Sequence, residues 1–193
     1  EIQQSDSPES PLTKSKKNQE NLRYNASSPD ELALVNYARF CGYEFQGKDE
    51  ENIIHIKNPN NEQRKFEQLH VLEFNSTRKR MSIIVKDLST NEIILLTKGA
   101  DSIIQDRLFD KTSELVETTF FHLEKYATVG LRTLVLARKI LNETFYEDWN
   151  IKFRSAAVSV QNREDLLQEI NEEIEKDMEL LGVTAVEDKL QPD

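Results

Sequence analysis

KFEQLHVLEF (Lys65–Phe74), MSIIVKD (Met81–Asp87) and EIILLTKG (Glu92–Gly99) follow one another in the middle of the chain. Each is short and rich in Ile, Val and Leu, parts of each alternate apolar with polar residues, and polar turns bound them, which is the pattern of β-strands. Connections as short as DLSTNE (Asp87–Glu92) suit antiparallel neighbours, because a parallel crossover needs a dozen residues or more. Working outward, YEF and NIIHI precede these runs as further strands, and LRTLVLARKI (Leu131–Ile140) and LLGVTAVED (Leu180–Asp188) follow them.

Helical signals flank this strand cluster. Ser28, Pro29, Asp30 and Glu31 read as an N-cap, a proline in the first turn, early acids and the closing residue of a capping box. LALVNYARFC (Leu32–Cys41) continues as a helix that should stop at Gly42. Helical periodicity returns over Ser102–Phe109 and over SELVETTFFHLEKYAT (Ser113–Thr128), with Gly130 as its C-terminal stop. Two amphipathic helices are expected over Asn142–Val160 and Arg163–Leu181. Strands grouped and helices grouped predict an α+β fold, a mainly antiparallel β-sheet flanked by helices.

Composition narrows the function. The 193 residues are 37% hydrophobic, enough for one sizeable core, whereas Glu1 to about Tyr24 is polar, rich in Ser, Lys, Gln and Pro, and reads as a flexible tether. No window is apolar for long enough to cross a bilayer, so a soluble chain is expected; it is also expected to be monomeric. The formal net charge of -10 argues against nucleic acid as a partner. One cysteine, Cys41, excludes an internal disulfide and is expected to serve packing. Neither GxxxxGK[ST] nor GxGxxG occurs, so any phosphate must be gripped by side chains.

The acidic run from Glu164 to Glu179 has helical spacing and reads as a solvated helix face. His55, His70 and His122 lack ligand spacing and read as surface residues. No metal site and no catalytic nucleophile is expected in the chain.

Five ordered blocks carry more information: SSPDELALV from Ser27, EFNSTRKRMSIIV from Glu73, TKGAD from Thr97, GLRTLVLA from Gly130 and LLGVTAVEDKLQ from Leu180. In the second, Phe74 ends a strand beside the cationic NSTRKR, offering an aromatic face next to a basic loop. Such a face stacks on a base for about 1–3 kcal/mol. Strand alternation sends Lys79 and its neighbours Arg78 and Arg80 to opposite faces. Lys98 ends an apolar strand and meets a small-residue turn at Gly99, where a ligand could approach the backbone. Arg132 opens a strand with a guanidinium suited to bidentate oxygen contacts. Asp101 is expected to cap the next helix.

Together these blocks resemble the nucleotide-binding domain of P-type ATPases, specifically the type-four, phospholipid-flipping branch. The resemblance implies ATP as ligand, with Phe74 stacked on adenine, Met81 lining the adenine side, and Lys79 and Lys98 directed to the phosphates. It further implies Ser76, Gly99, Arg132, Thr133 and Leu134 as nucleotide-binding residues at the pocket, and Glu31 toward the adenine amino edge. It divides the chain into a flexible tether (1–25), a nucleotide-binding domain (26–191) and a tail (192–193) leading to a phosphorylation domain. That second domain would supply the acceptor aspartate and the magnesium site, which Asp110-Lys111-Thr112 does not, since Ser113 stands where the phosphorylation signature has glycine. Implied partners are the phosphorylation and actuator domains of the same protein, the membrane through its spans, and an accessory β subunit. The place would be the cytosolic face of a membrane. Two alternatives stay open: a regulatory nucleotide-sensing module with this fold, and a basic-patch binder of inositol phosphates.

Overall fold

The computed structural model describes residues 24–187, so the DKLQ end of the last block, the tail at 192–193 and nearly all of the tether lie outside the described residues. The chain divides between Cys41 and Gly42 into two compact units. In the first, α1 (Pro29–Phe40) begins as the residues dictate: the Ser28 hydroxyl accepts the Glu31 amide at 3.2 Å, with Pro29 in the first turn. It ends at Cys41 before Gly42, whose φ of +93° suits glycine. Cys41 is exposed, against the expectation that it packs.

The second unit is one seven-stranded sheet in simple sequence order. Its strands are β1 (Glu44–Lys48), β2 (Ile53–Lys57), β3 (Gln63–Leu72), β4 (Arg80–Asp87), β5 (Ile93–Gly99), β6 (Arg132–Leu141) and β7 (Glu179–Val186). Every neighbouring pair is antiparallel. Helices α2 (Asp101–Gln105) and α3 (Glu114–Thr128) interrupt the path from β5 to β6, and α4 (Glu143–Ala157) and α5 (Arg163–Ile174) the path from β6 to β7. The α+β expectation holds.

The core forms where these helices lie on one face of the sheet. Leu72, Ile84, Leu95, Val135 and Ala137 from the strands pack with Ile104, Val116, Leu123, Trp149 and Ile174 from the helices. Trp149 also donates its indole N–H to the Ile170 carbonyl at 2.9 Å, joining α4 to α5.

Several local expectations need correction. Asp101 is the first residue of α2 rather than its cap: Ala100 is the N-cap, and the Asp101 carboxylate accepts the adjacent Ser102 amide at 2.7 Å. Helix α5 stops at Ile174, short of the expected Leu181, and Asp177 takes a positive φ of 55°. Met178 then bridges to Leu108, which redirects the chain into β7. His70 is no surface residue, since its ring packs edge-on against Trp149 and Phe153 and hydrogen-bonds Asn150 at 3.0 Å. Burial, partly offset by that hydrogen bond, pushes its pKa below the ordinary 6.5.

Candidate functional site

Alternation along β4 and β5 gives the sheet two chemically different faces. Arg80, Ser82 and Ile84 point to the helices, and Met81, Ile83, Leu96 and Lys98 point away from them. The face turned from the helices carries a cavity of about 710 Å³, within the roughly 300–1,000 Å³ range of ligand pockets. Met81 and Lys98 are direct cross-strand partners in its wall, and Ile83, Leu96 and Leu136 add apolar surface around them. Two ammoniums, Lys98 and Lys48, stand with Gln68 at this mainly apolar wall, a combination that suits a ligand with a flat apolar part and an anionic part.

Glu73 also lines this cavity, and Phe74 follows it as a residue 62% exposed. An exposed phenyl ring at the head of a polar turn is poorly explained by packing and well placed for stacking. The turn then alternates as expected, with Arg78 and Arg80 buried and Lys79 exposed in a left-handed conformation at φ 51°. Lys79 closes the loop twice: its amide donates to the Asn75 carbonyl at 2.8 Å, and its carbonyl accepts the Ala100 amide at 3.0 Å.

Gly99 has a different task from the one its place after Lys98 suggested. A Cβ there would lie 2.6 Å from the Arg80 Cβ and 2.8 Å from the Lys79 carbonyl oxygen. The glycine therefore admits the neighbouring strand and loop rather than a ligand. Arg132, exposed, and Leu134 alternate onto the same face as Leu136, but Thr133 pairs with Ala185 on the helix-covered side with Val135. Ser76 is exposed within the turn. Glu31 belongs to α1, in the other unit.

Taken residue by residue, Met81 and Lys98 share one cavity, the loop bearing Phe74, Ser76 and Lys79 adjoins it in sequence, and Arg132 and Leu134 face the same way one strand over. The family model described as P-type ATPase, cytoplasmic domain N, matches residues 11–193. The chain belongs to this family. Among individual relatives, the N domain is 47% identical over 176 residues to human Phospholipid-transporting ATPase ID, covering 91% of this chain and 14% of that protein. It is 46% identical over 183 residues to Phospholipid-transporting ATPase DNF1 of Saccharomyces cerevisiae, covering 90% and 12%. With Phospholipid-transporting ATPase DRS2 of the same yeast it shares 43% over 170 residues, covering 88% and 12%. The N domain thus spans only about one-seventh of these relatives or less.

What sequence reasoning missed lies directly behind the cavity wall. Arg78 and Arg80 run into the interior of the N domain and meet Glu175 at the end of α5, a carboxylate of 0% exposure. The acidic run is therefore not wholly a solvated face. Glu172, one turn earlier, bonds Arg80 at 2.7 Å and Arg107 at 2.5 Å. Burial pushes the Glu172 pKa upward as the largest single influence, yet the hydrogen bonds from Arg80 and Arg107 together hold it below the ordinary 4.5. Burial also lowers Arg78 from its usual value, against the opposing pull of Glu175. The available signal was the i, i+3 spacing of Glu172 and Glu175, which puts both on one helix face. Among the described residues, no group of three or more His, Cys, Asp or Glu side chains is disposed to hold a metal ion. No helix among them is long and apolar enough to cross a membrane.

Proposed function

We propose that the face of the sheet turned from the helices binds ATP, with adenine stacked on Phe74 near Met81 and the phosphates drawn to Lys98 and Lys79. The observation that carries this is the Met81–Lys98 cross-strand pair in a mainly apolar cavity of about 710 Å³ that Lys48 also lines, immediately next in sequence to the exposed Phe74 loop. Arg132 and Leu134 extend the same face. Gly99 and Thr133 act behind this surface, and Ser76 keeps the turn polar.

In the full-length protein, residues 26–191 are the nucleotide-binding domain, tethered by residues 1–25 and continued by 192–193. They hold the γ-phosphate for an acceptor aspartate on a phosphorylation domain, which also supplies the magnesium site. Positioning of this kind provides most of the catalysis in phosphoryl transfer. The actuator domain, the membrane spans and an accessory β subunit complete the machine, which moves phospholipid across a membrane from whose cytosolic face the N domain projects. The names of the relatives, each a phospholipid-transporting ATPase, support that assignment.

Calorimetric titration of the chain with ATP and with adenosine tests it, alongside Phe74→Ala and Lys98→Ala, with thermal melts to establish folding. Weak ATP binding without turnover is expected. Phe74→Ala should lose both ligands, and Lys98→Ala should weaken ATP more than adenosine. Wild-type affinity in Phe74→Ala, or robust hydrolysis by the chain alone, overturns the proposal.

A further inference from the structure

The loop from Phe74 to Lys79 is short and mostly exposed, the kind of segment that ordinarily moves. Its anchorage is unusual. The Arg78 amide donates to Asn75 Oδ1 at 2.6 Å, and one arm of the Arg78 guanidinium donates to the carbonyl of Glu73 at 2.7 Å, immediately before Phe74. The other arm reaches Glu175 Oε1 at 2.5 Å. Arg80 grips the far end of the loop, donating to the Arg78 carbonyl at 3.1 Å while its Nε bonds Glu175 Oε2 at 2.8 Å. Each oxygen of one carboxylate thus takes one arginine, and the two arginines hold opposite ends of the turn.

The same carboxylate reaches the second half of the cavity wall. The Ser82 hydroxyl donates to Glu175 Oε1, which leaves Ser82 Oγ to accept from the Thr97 hydroxyl at 2.8 Å. Ser82 follows Met81 and Thr97 precedes Lys98, so the bond ties the two strands directly behind the pair in the wall. Arg80 is 1% exposed and Arg78 4%. A buried ionic cluster is a poor source of stability, because well-packed apolar residues in its place serve as well or better. Geometry is what such a cluster supplies.

We infer that Glu175 is a positioning residue for the nucleotide: through Arg78 and Arg80 it fixes the loop bearing Phe74 and Lys79, and through Ser82 and Thr97 the strand ends bearing Met81 and Lys98. This rests on the assignment of ATP to that face. A loop held in its bound form before the ligand arrives loses less conformational freedom on binding, so affinity rises without a direct contact.

Glu175→Gln keeps the shape and removes the charge. Arg78→Lys keeps the charge and removes the second arm to Glu73, and it serves should the first variant not fold. Each is titrated with ATP beside the wild-type chain at a temperature where melting shows it folded, and amide hydrogen exchange is followed by NMR. Expected are an ATP affinity about tenfold weaker and faster exchange at Lys79 and Ala100, whose amides close the loop, with exchange at Leu95 and Val135 unchanged. Wild-type affinity in a folded variant overturns the inference, and so does exchange accelerated evenly across the sheet, which is the mark of a merely structural role. Absence of ATP binding by the wild-type chain would instead overturn the site itself.

Discussion

Strands β4 and β5 contribute equally to two surfaces that share almost nothing. On the helix side, Ile84 and Leu95 are fully buried in the core, and Arg80, Ser82 and Thr97 sit among them as a closed polar cluster. On the other side, Met81, Ile83, Leu96 and Lys98 line an open cavity. The difference comes from the connections rather than the strands. Both helical excursions, after β5 and after β6, return over the same face, so the sequence alternates but only one half of the alternation is covered. A sheet covered on one side obtains its stability there, and the other side is open to the cavity.

Leu95 and Leu96 give the sharpest test, being adjacent residues of one type that differ only in face, 0% against 37% exposed. Leu95→Ala should cost about 2–5 kcal/mol in urea unfolding, for lost transfer energy and a residual cavity. Leu96→Ala should cost about 1 kcal/mol or less and leave its mark on ATP titration instead. Equal losses of stability would break the two-face description.

Gly99→Ala comes next, at about 1–3 kcal/mol, the usual cost of overpacking. The added methyl meets the Arg80 Cβ and the Lys79 carbonyl, neither a flexible tip. Unlike Leu95→Ala, it should disturb both faces, lowering the unfolding midpoint and weakening ATP together.

Glu172→Gln probes the partly exposed end of the ionic cluster. Because the folded pKa of Glu172 lies below the ordinary 4.5, its contribution is fully present above that value and disappears as pH falls through the folded one. The variant should therefore be less stable than wild type at pH 7, by about 1 kcal/mol after allowing for its exposure, and the two should converge in acid. Unfolding curves between pH 3 and 7 would show this, and a gap that persists at the acid end would mean that the carboxylate's charge is not what matters.

Much of this was legible in the residues. The three central runs carried their own alternation and apolar content, Ser28 and Gly130 marked a helix start and a helix stop, and Lys79 parted from Arg78 and Arg80 as expected, although through a left-handed turn rather than along a strand. Gly130 takes a φ of +81° just past α3. The end of α5 was not legible, because residues 175–181 keep a helical-looking pattern while Glu175 is drawn inward and Asp177 reverses the backbone. Nor was the destination of Arg78 and Arg80 legible. Local pattern says that a charge leaves the solvent face, but its partner lies 97 and 95 residues away. Gly99 was read for its missing side chain toward a ligand, and only coordinates reveal the Arg80 methylene filling that space.

The smallest expected effect isolates burial itself. Arg138 and Glu179 pair across β6 and β7 at 3.0 Å, the same chemistry and nearly the same distance as Arg80 with Glu175, but with side chains 46% and 63% exposed. Water already solvates both charges there, so the pair gains little attraction and loses rotamer freedom. Arg138→Ala should change unfolding free energy by about 0.5 kcal/mol or less, and added salt should erase even that. A larger, salt-insensitive loss would mean that depth in the fold is not what separates these two arginine–glutamate pairs, and the special role given to Glu175 would lose its physical basis.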